Sequence, residues 1–176
     1  MSSSIQVEWQ PSGALIGFSS MYICQRKAFV LGLSAPWHMT LADVSIRFPY
    51  MDTILLLRKL GPGCHFLGHG SDDDIDSLER ILEEELKLNP EKPPIVALFT
   101  EFPSNPLLRS VNLPRLRALA DTYDFLIVID DTIGNFVNVH VIPYADIVVT
   151  SLSKAFSGEA NVMGGRYVPQ FPKNVL

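Results

Sequence analysis

Late in the chain the sequence reads Ile147-Val148-Val149-Thr150-Ser151-Leu152-Ser153-Lys154, an apolar run that ends in small hydroxyls and a lysine. Such a run predicts a buried strand with the lysine just beyond its carboxyl end. Desolvation there would disfavour the ammonium form and leave the amine available as a nucleophile toward an aldehyde cofactor. The hydroxyls of Ser151 and Ser153 could hold a phosphate without adding charge.

A second apolar run is followed by a carboxylate. Ile127-Val128-Ile129 is followed directly by Asp130. Taken alone, a lysine after a strand is usually a solvated surface residue, and an aspartate there caps a helix about as often as it does chemistry. The two features together, in this order, favour a shared site.

Apolar strands alternate with amphipathic helices along the chain. This alternation predicts βαβ units and an α/β fold, with a mostly parallel sheet and helices on both faces. The predicted strands span 41–48, 65–67, 95–99, 125–129, 146–150 and 162–168, and the predicted helices span 52–60, 73–88 and 113–123. Within residues 1–40 the pattern indicates only a short strand over 14–18 and a helix over 21–33.

Three chemical groups follow directly after predicted strands. Ligands of parallel sheets bind beyond the carboxyl ends of the strands, so we expect Glu101, Asp130 and residues 151–154 to converge on one edge. There Lys154 would form an imine and Asp130 would keep a pyridine nitrogen protonated. The loop over 101–106 would place an amide against a ring hydroxyl. These are the partners that pyridoxal phosphate (PLP) requires.

Composition limits the alternatives. At 176 residues and 47% hydrophobic content, the chain is long enough for one domain with a substantial core. A net charge of −5 without a basic stripe argues against nucleic acid as a partner. No apolar run approaches the ~18 residues of a membrane span, and the first residues do not resemble a secretory signal. We therefore expect a cytoplasmic protein with no membrane partner.

Metal binding is not predicted. Cys24 and Cys64 are far apart and form no CxxC pair, so neither a zinc site nor a disulfide is expected. His65 and His69 are separated by Gly68, which argues against a helical metal pair. The acidic run over 72–76 is typical of the start of a helix.

Five segments of the chain resemble one known family. They span 47–53, 61–66, 101–108, 130–136 and 151–158, and the likeness extends from about 41 to 168. The family is that of the PLP-dependent enzymes of Cys/Met metabolism, the trans-sulfuration enzymes, and the likeness is strongest to the fungal cystathionine gamma-synthases. It implies the fold type I architecture of PLP-dependent transferases, the large domain of the aspartate-aminotransferase type.

The resemblance implies the catalytic residues. Lys154 matches the Schiff-base lysine, which then removes the α-proton of the substrate as a general base. Asp130 matches the partner of the pyridine nitrogen. Tyr50 matches a tyrosine that stacks on the cofactor ring and takes part in proton transfer.

The resemblance also implies further cofactor contacts. Ser151 and Ser153 match two hydroxyl positions that contact the phosphate, although the second is usually threonine. Asn105 matches an asparagine near the ring hydroxyl. One departure concerns the Ser-Gly-Met type turn of the family, because the counterpart over 18–22 has no glycine before Met21.

The chain is shorter than family members. We expect a poorly defined segment over 1–40, a PLP-binding large domain over 41–168 and a tail over 169–176. The C-terminal small domain, with the arginine that binds the substrate carboxylate, is expected to be missing. Arg166 comes too early in the sequence to be that arginine.

Two functions of different class follow from the resemblance. One is an enzyme of gamma-replacement on an O-acylhomoserine with a thiol, or of gamma-elimination on sulfur amino acids, with an amino-acid substrate and a homo-oligomeric assembly. The alternative is a truncated, catalytically weak or inactive relative that binds PLP or associates with a full-length homologue. A nucleotide-binding module is disfavoured because no P-loop or GxGxxG follows an early strand.

Overall fold

The chain folds around a six-stranded sheet. The computed structural model describes residues 42–46, 50–51, 53, 55, 64–159 and 161–169. The strands of this part are β1 (Ala42–Ile46), β2 (Cys64–Leu67), β3 (Ile95–Glu101), β4 (Leu126–Asp130), β5 (Ile147–Ser151) and β6 (Gly165–Pro169). The helices that follow β2 and β3 along the chain are α1 (Asp72–Leu88) and α2 (Leu113–Tyr123), and a short 3-10 helix spans Ile142–Tyr144.

The sheet is mostly parallel. Its order is β2-β1-β3-β4-β5-β6, and the strands from β1 to β5 pair in parallel. Only the edge strand β6 is antiparallel, to β5. The predicted α/β fold is therefore confirmed. Since the chain adds β2 on one side of β1 and β3 on the other, the order reverses between β1 and β3, which is where ligands of such sheets bind.

Helix α1 begins where the acidic run predicts it. The Ser71 side chain caps the helix by accepting the Asp74 N–H at 3.4 Å. Asp74 is itself buried, and its Oδ2 accepts the N–H groups of His69 at 2.7 Å and Gly70 at 2.5 Å. The acidic run thus begins a helix, with one of its carboxylates holding the preceding loop.

The two faces of the sheet carry different clusters. On one face, Leu98, Ile127 and Val148 pack with the apolar sides of α1 and α2 in the main core. On the other face, a smaller cluster is formed by Ala97, Phe99, Val128 and Val149. Because side chains alternate along a strand, the residues that end β3, β4 and β5 lie on the face of the smaller cluster.

Some predictions fall outside the described residues. They concern the strand over 14–18, the helix over 21–33, the turn over 18–22 and the capping role of Asp52. Of the helix predicted over 52–60, Thr53 and Leu55 are described and helical, as is Met51 just before it.

Candidate cofactor site at the carboxyl edge of the sheet

Strand register brings three of the expected groups to one edge. Glu101 pairs with Asp130, and Asp130 pairs with Val149 two residues before Ser151. Paired residues of a parallel sheet point to the same face, and neighbouring strands lie about 4.8 Å apart. Glu101, Asp130 and Ser151 therefore occupy consecutive strand ends on the same face.

Asp130 is a half-buried acid in this row. Its Oδ1 accepts the N–H of Thr132 at 2.9 Å. Burial raises the pKa of Asp130, and the charge of Asp131 raises it further, against the hydrogen bonds from Thr132 that lower it. Within the part of the chain that the structure describes, no lysine or arginine forms an ion pair with Asp130. Such a carboxylate suits a cationic hydrogen-bond donor such as a protonated pyridine nitrogen.

Asp131 has a different environment from its neighbour. It lies on the helix-covered face with 1% of its surface exposed, and it accepts a hydrogen bond from the hydroxyl of Thr150. Its N–H donates to the Val149 carbonyl at 2.9 Å, and its own carbonyl accepts the Asn135 N–H at 2.6 Å. Burial raises the pKa of Asp131, although its bond to Thr150 and the nearby charge of Arg166 oppose this. Asp131 therefore fixes the loop, while Asp130 faces the site.

Arg166 lies on β6 in register with Thr150. Its guanidinium stacks on the ring of Phe136, 4.7 Å from the centroid. Its Nη1 is buried without a hydrogen-bond partner among the described residues. These contacts tie β6 to the loop that follows β4.

Thr132 connects two of the expected site residues and was missed by the sequence reasoning. Its N–H donates to Asp130, and its Oγ1 accepts the N–H of Ser151 at 2.8 Å. The loop after β4 is thereby tied to the end of β5. The sequence signal that could have pointed to Thr132 is its place inside the segment 130–136, which carries the family resemblance.

Tyr50 and Asn105 are brought to the same edge by one carboxylate. Glu101 Oε1 accepts the Tyr50 N–H at 2.6 Å, and Oε2 accepts the Asn105 N–H at 3.1 Å. The Tyr50 side chain is exposed, as is that of Asn105. Next to Glu101, the Phe102 N–H donates to the Asp130 carbonyl at 2.8 Å.

Lys154 lies in a turn over 152–158, which we call the lysine turn, and its side chain is exposed. The turn is anchored at its base, where the Leu152 N–H donates to the Gly164 carbonyl at 2.9 Å. The Ser153 Oγ accepts the Gly164 N–H at 3.0 Å, so this hydroxyl already has a backbone partner. The desolvation expected for Lys154 is absent, because the residue lies three positions beyond β5 in a turn that extends past the sheet edge.

Neither a metal site nor a membrane span is found where the structure can be described. No group of three or more His, Cys, Asp or Glu residues in that part could hold a metal ion. None of its helices combines the length and the apolar character needed to cross a bilayer.

Comparison with known proteins connects this edge to a family. The sequence model for Cys/Met metabolism PLP-dependent enzymes matches residues 74–174. A cystathionine gamma-synthase-like enzyme of Amanita muscaria is 62% identical over 149 residues, which cover 80% of this chain and 25% of that protein. The cystathionine gamma-synthase of Neurospora crassa is 45% identical over 150 residues, covering 85% and 23%. The chain thus spans about a quarter of the length of these relatives.

The fold comparison agrees. A crystal structure of cystathionine gamma-lyase from Lactobacillus plantarum, complexed with L-serine, matches with a TM-score of 0.61 and 25% identity. The match covers 85% of this chain and 36% of the other. The architecture is thus that of the PLP-dependent Cys/Met lyases, and the expected resemblance is confirmed. From its fold, its sequence and the groups along its sheet edge, the chain belongs to the family of PLP-dependent enzymes of Cys/Met metabolism.

Proposed function

We propose that this chain carries the PLP-binding site of a cystathionine gamma-synthase-type enzyme, with residues 41–168 as the cofactor-binding domain. The observation that carries the proposal is the row of Glu101, Asp130 and Ser151 on consecutive strand ends, with Lys154 just beyond. The identity to fungal relatives over most of the chain supports it.

The residues present fit the cofactor. Asp130 has a raised pKa and would hold a proton on the pyridine nitrogen, where a cationic donor offsets the cost of its burial. Asn105 would donate to the ring hydroxyl, and Tyr50 would pack on the ring. Ser151 and Ser153 would bind the phosphate, although the Ser153 hydroxyl would then share its bond with Gly164.

PLP, when bound, supplies an electron sink that stabilises negative charge at the α carbon of an amino acid. Lys154 would hold the cofactor through its Nζ, and the same Nζ would act as a general base toward the α-proton of the substrate. The substrate we propose is an amino acid with a leaving group on its γ carbon, such as an O-acylhomoserine. A thiol that replaces this group gives gamma-replacement.

The exposure of Lys154 favours a second candidate. An exposed amine is not held in place beside a bound substrate, so the chain alone would bind the cofactor but turn substrate over weakly. In that case we propose that a second polypeptide covers the lysine turn, either a second copy of the chain in a cytoplasmic homo-oligomer or a longer homologue.

Titration of the purified chain with PLP tests cofactor binding. We expect a protein-dependent visible absorbance band and, after borohydride reduction and digestion, a pyridoxyl group on the Lys154 peptide. In Lys154→Ala the band should fall to background. Lys87→Ala, an exposed lysine in the last turn of α1, is the matched control and should keep the band. A wild-type chain without a band, or a band that survives in Lys154→Ala, would rule out the proposed site.

A turnover assay separates the two candidates. With O-acylhomoserine and cysteine, an active enzyme should form the thioether at a rate that Lys154→Ala lowers by at least about 100-fold. If the wild-type chain binds PLP but shows no turnover, the second candidate is favoured. Addition of a longer homologue should then restore activity.

A further inference from the structure

The end of β3 carries a carboxylate that the expected site does not use. Glu101 is only 8% exposed, and each of its two oxygens accepts a backbone N–H from a different loop. One donor is Tyr50, which is 51 positions away in sequence, and the other is Asn105, in the loop that follows β3. Both donors are residues expected to contact the cofactor.

A buried glutamate is not expected at the end of a strand if its role is only structural. A buried carboxylate costs free energy unless hydrogen bonds compensate for lost hydration, and here it also neighbours a second acid in register, Asp130. Burial raises the pKa of Glu101, and the charge of Asp130 adds to this, whereas the bonds from Asn105 and Tyr50 lower it. A glutamine in this place would have one acceptor oxygen, so it could not accept both N–H donors as the carboxylate does.

The two hydrogen bonds that Glu101 accepts lie where the strand order reverses. Tyr50 follows β1, and Asn105 follows β3, the strand on the other side of the reversal point. Phe102 adds a bond from the same loop to the carbonyl of Asp130. The backbones of Tyr50 and Asn105 are thus fixed relative to Asp130, while both side chains stay exposed.

We infer that Glu101 is a positioning residue, which clamps the backbone of Tyr50 and of Asn105 beside Asp130 so that their side chains meet the cofactor ring at a set distance. This inference rests on the proposed function. Glu101 itself touches no reacting atom, and its effect on binding acts through the two loops that it holds.

The chain offers a matched control in Asp74. Its carboxylate is also buried and also accepts two backbone N–H groups, from His69 and Gly70. Those donors follow β2 at the outer edge of the sheet, away from β3 and β4. Asp74→Asn therefore removes the same kind of clamp without touching Tyr50 or Asn105.

The first measurement needs no cofactor. In Glu101→Gln, one carbonyl oxygen remains for two N–H donors, so amide hydrogen exchange should become about tenfold faster at whichever of Tyr50 and Asn105 loses its acceptor, because a partly buried N–H without an acceptor is destabilised on that scale. Asp74→Asn should accelerate exchange at His69 and Gly70 and leave Tyr50 and Asn105 unchanged. Glu101→Asp keeps the charge but shortens the reach. It should act in the same direction, so it serves if the glutamine variant does not fold.

The second measurement uses PLP. Glu101→Gln should raise its dissociation constant about tenfold and alter the pH profile of the visible band, whereas Asp74→Asn should change neither by more than about twofold. Equal weakening by both variants, or unchanged exchange at Tyr50 and Asn105, would overturn the inference. A wild-type chain that binds no PLP would instead refute the proposed function, and the exchange data would still decide whether Glu101 forms the clamp.

Discussion

Two neighbouring loops at the carboxyl edge are built in opposite ways. The first, which we call the aspartate loop (residues 130–138), follows β4 and is anchored from inside, with Asp131 1% exposed and Gly134 buried. The second, the lysine turn, follows β5 and is held at its base by Gly164 and on one side by Phe156, whose ring centroid lies 6.2 Å from that of Phe136. Phe156, two residues after Lys154, is 63% exposed.

This difference indicates which half of the site the chain assembles by its own folding. The acid proposed to face the pyridine nitrogen, Asp130, is positioned by the sheet register and by a backbone donor within the chain. The amine lies on a turn in which residues 154–156 are exposed. The position of the acid is therefore set by this fold, whereas the described residues leave the side chain of Lys154 exposed.

The comparison predicts its largest effect at Asp130. Asp130→Asn should lower cofactor-dependent turnover by at least about 100-fold, because a preorganised group that stabilises charge in the transition state is lost. Ser153→Ala in the lysine turn should lower turnover by no more than about tenfold, because the hydroxyl there already bonds to Gly164. Turnover with O-acylhomoserine and cysteine measures both. A larger loss for Ser153→Ala would reverse the ranking of the two loops.

A pair of glycines tests how tightly each loop is packed. A Cβ at Gly134 would clash with both γ-methyl groups of Val139 and lie 3.2 Å from the Phe102 carbonyl oxygen. Gly134→Ala should therefore lower the free energy of unfolding by about 1–3 kcal/mol. At Gly158 nothing lies within 4 Å and φ is +74°, so Gly158→Ala should cost only about 1 kcal/mol of backbone strain. Urea unfolding of the two variants checks the difference, and equal losses would contradict it.

The smallest predicted effect is on the pH dependence of stability. Burial raises the pKa of Asp130 above its value in an unfolded chain, so the folded state binds this proton more tightly. The contribution of the group to stability is therefore present in acid, below about pH 4, and is lost as the pH rises through the folded value. In Asp130→Asn no carboxyl group titrates at this position, so this loss of stability with rising pH should not occur.

Urea unfolding at several pH values measures this effect. At neutral pH we expect the free energy of unfolding of Asp130→Asn to be higher than that of the wild type, and its decline from acid to neutral pH to be shallower. A variant whose pH curve runs parallel to that of the wild type would show that Asp130 keeps an ordinary pKa in the folded chain.

Much of the fold could be predicted because the hydrophobic periodicity, and the residues that begin or end helices and strands, act locally. The predicted helix over 113–123 coincides with α2, where Asn112 caps the start and Pro114 lies in the first turn. The strand after it ends at Asp130 because the apolar run ends there. From strand ends alone, the row of Glu101, Asp130 and Ser151 could also be expected at one edge.

Other features depend on tertiary contacts that no local pattern encodes. Glu101 accepts one hydrogen bond from the Asn105 N–H, four positions away, and another from the Tyr50 N–H, 51 positions away, and spacing gives no hint of the second. The antiparallel direction of β6 fits the short return from β5, whose described residues contain no crossover helix. The exposure of Lys154 depends on the residues that surround the lysine turn. The apolar run that precedes the turn does not determine these surroundings.

The closure between Leu152, Ser153 and Gly164 has a consequence for how this region can vary. Both ends of the excursion between β5 and β6 are fastened to each other at the sheet edge. Insertions or replacements inside that excursion therefore leave the hydrogen-bond ladder of β5 and β6 in place. We therefore expect sequence changes between these two anchor points to cost the sheet little stability, apart from those that remove the contact of Phe156 with Phe136.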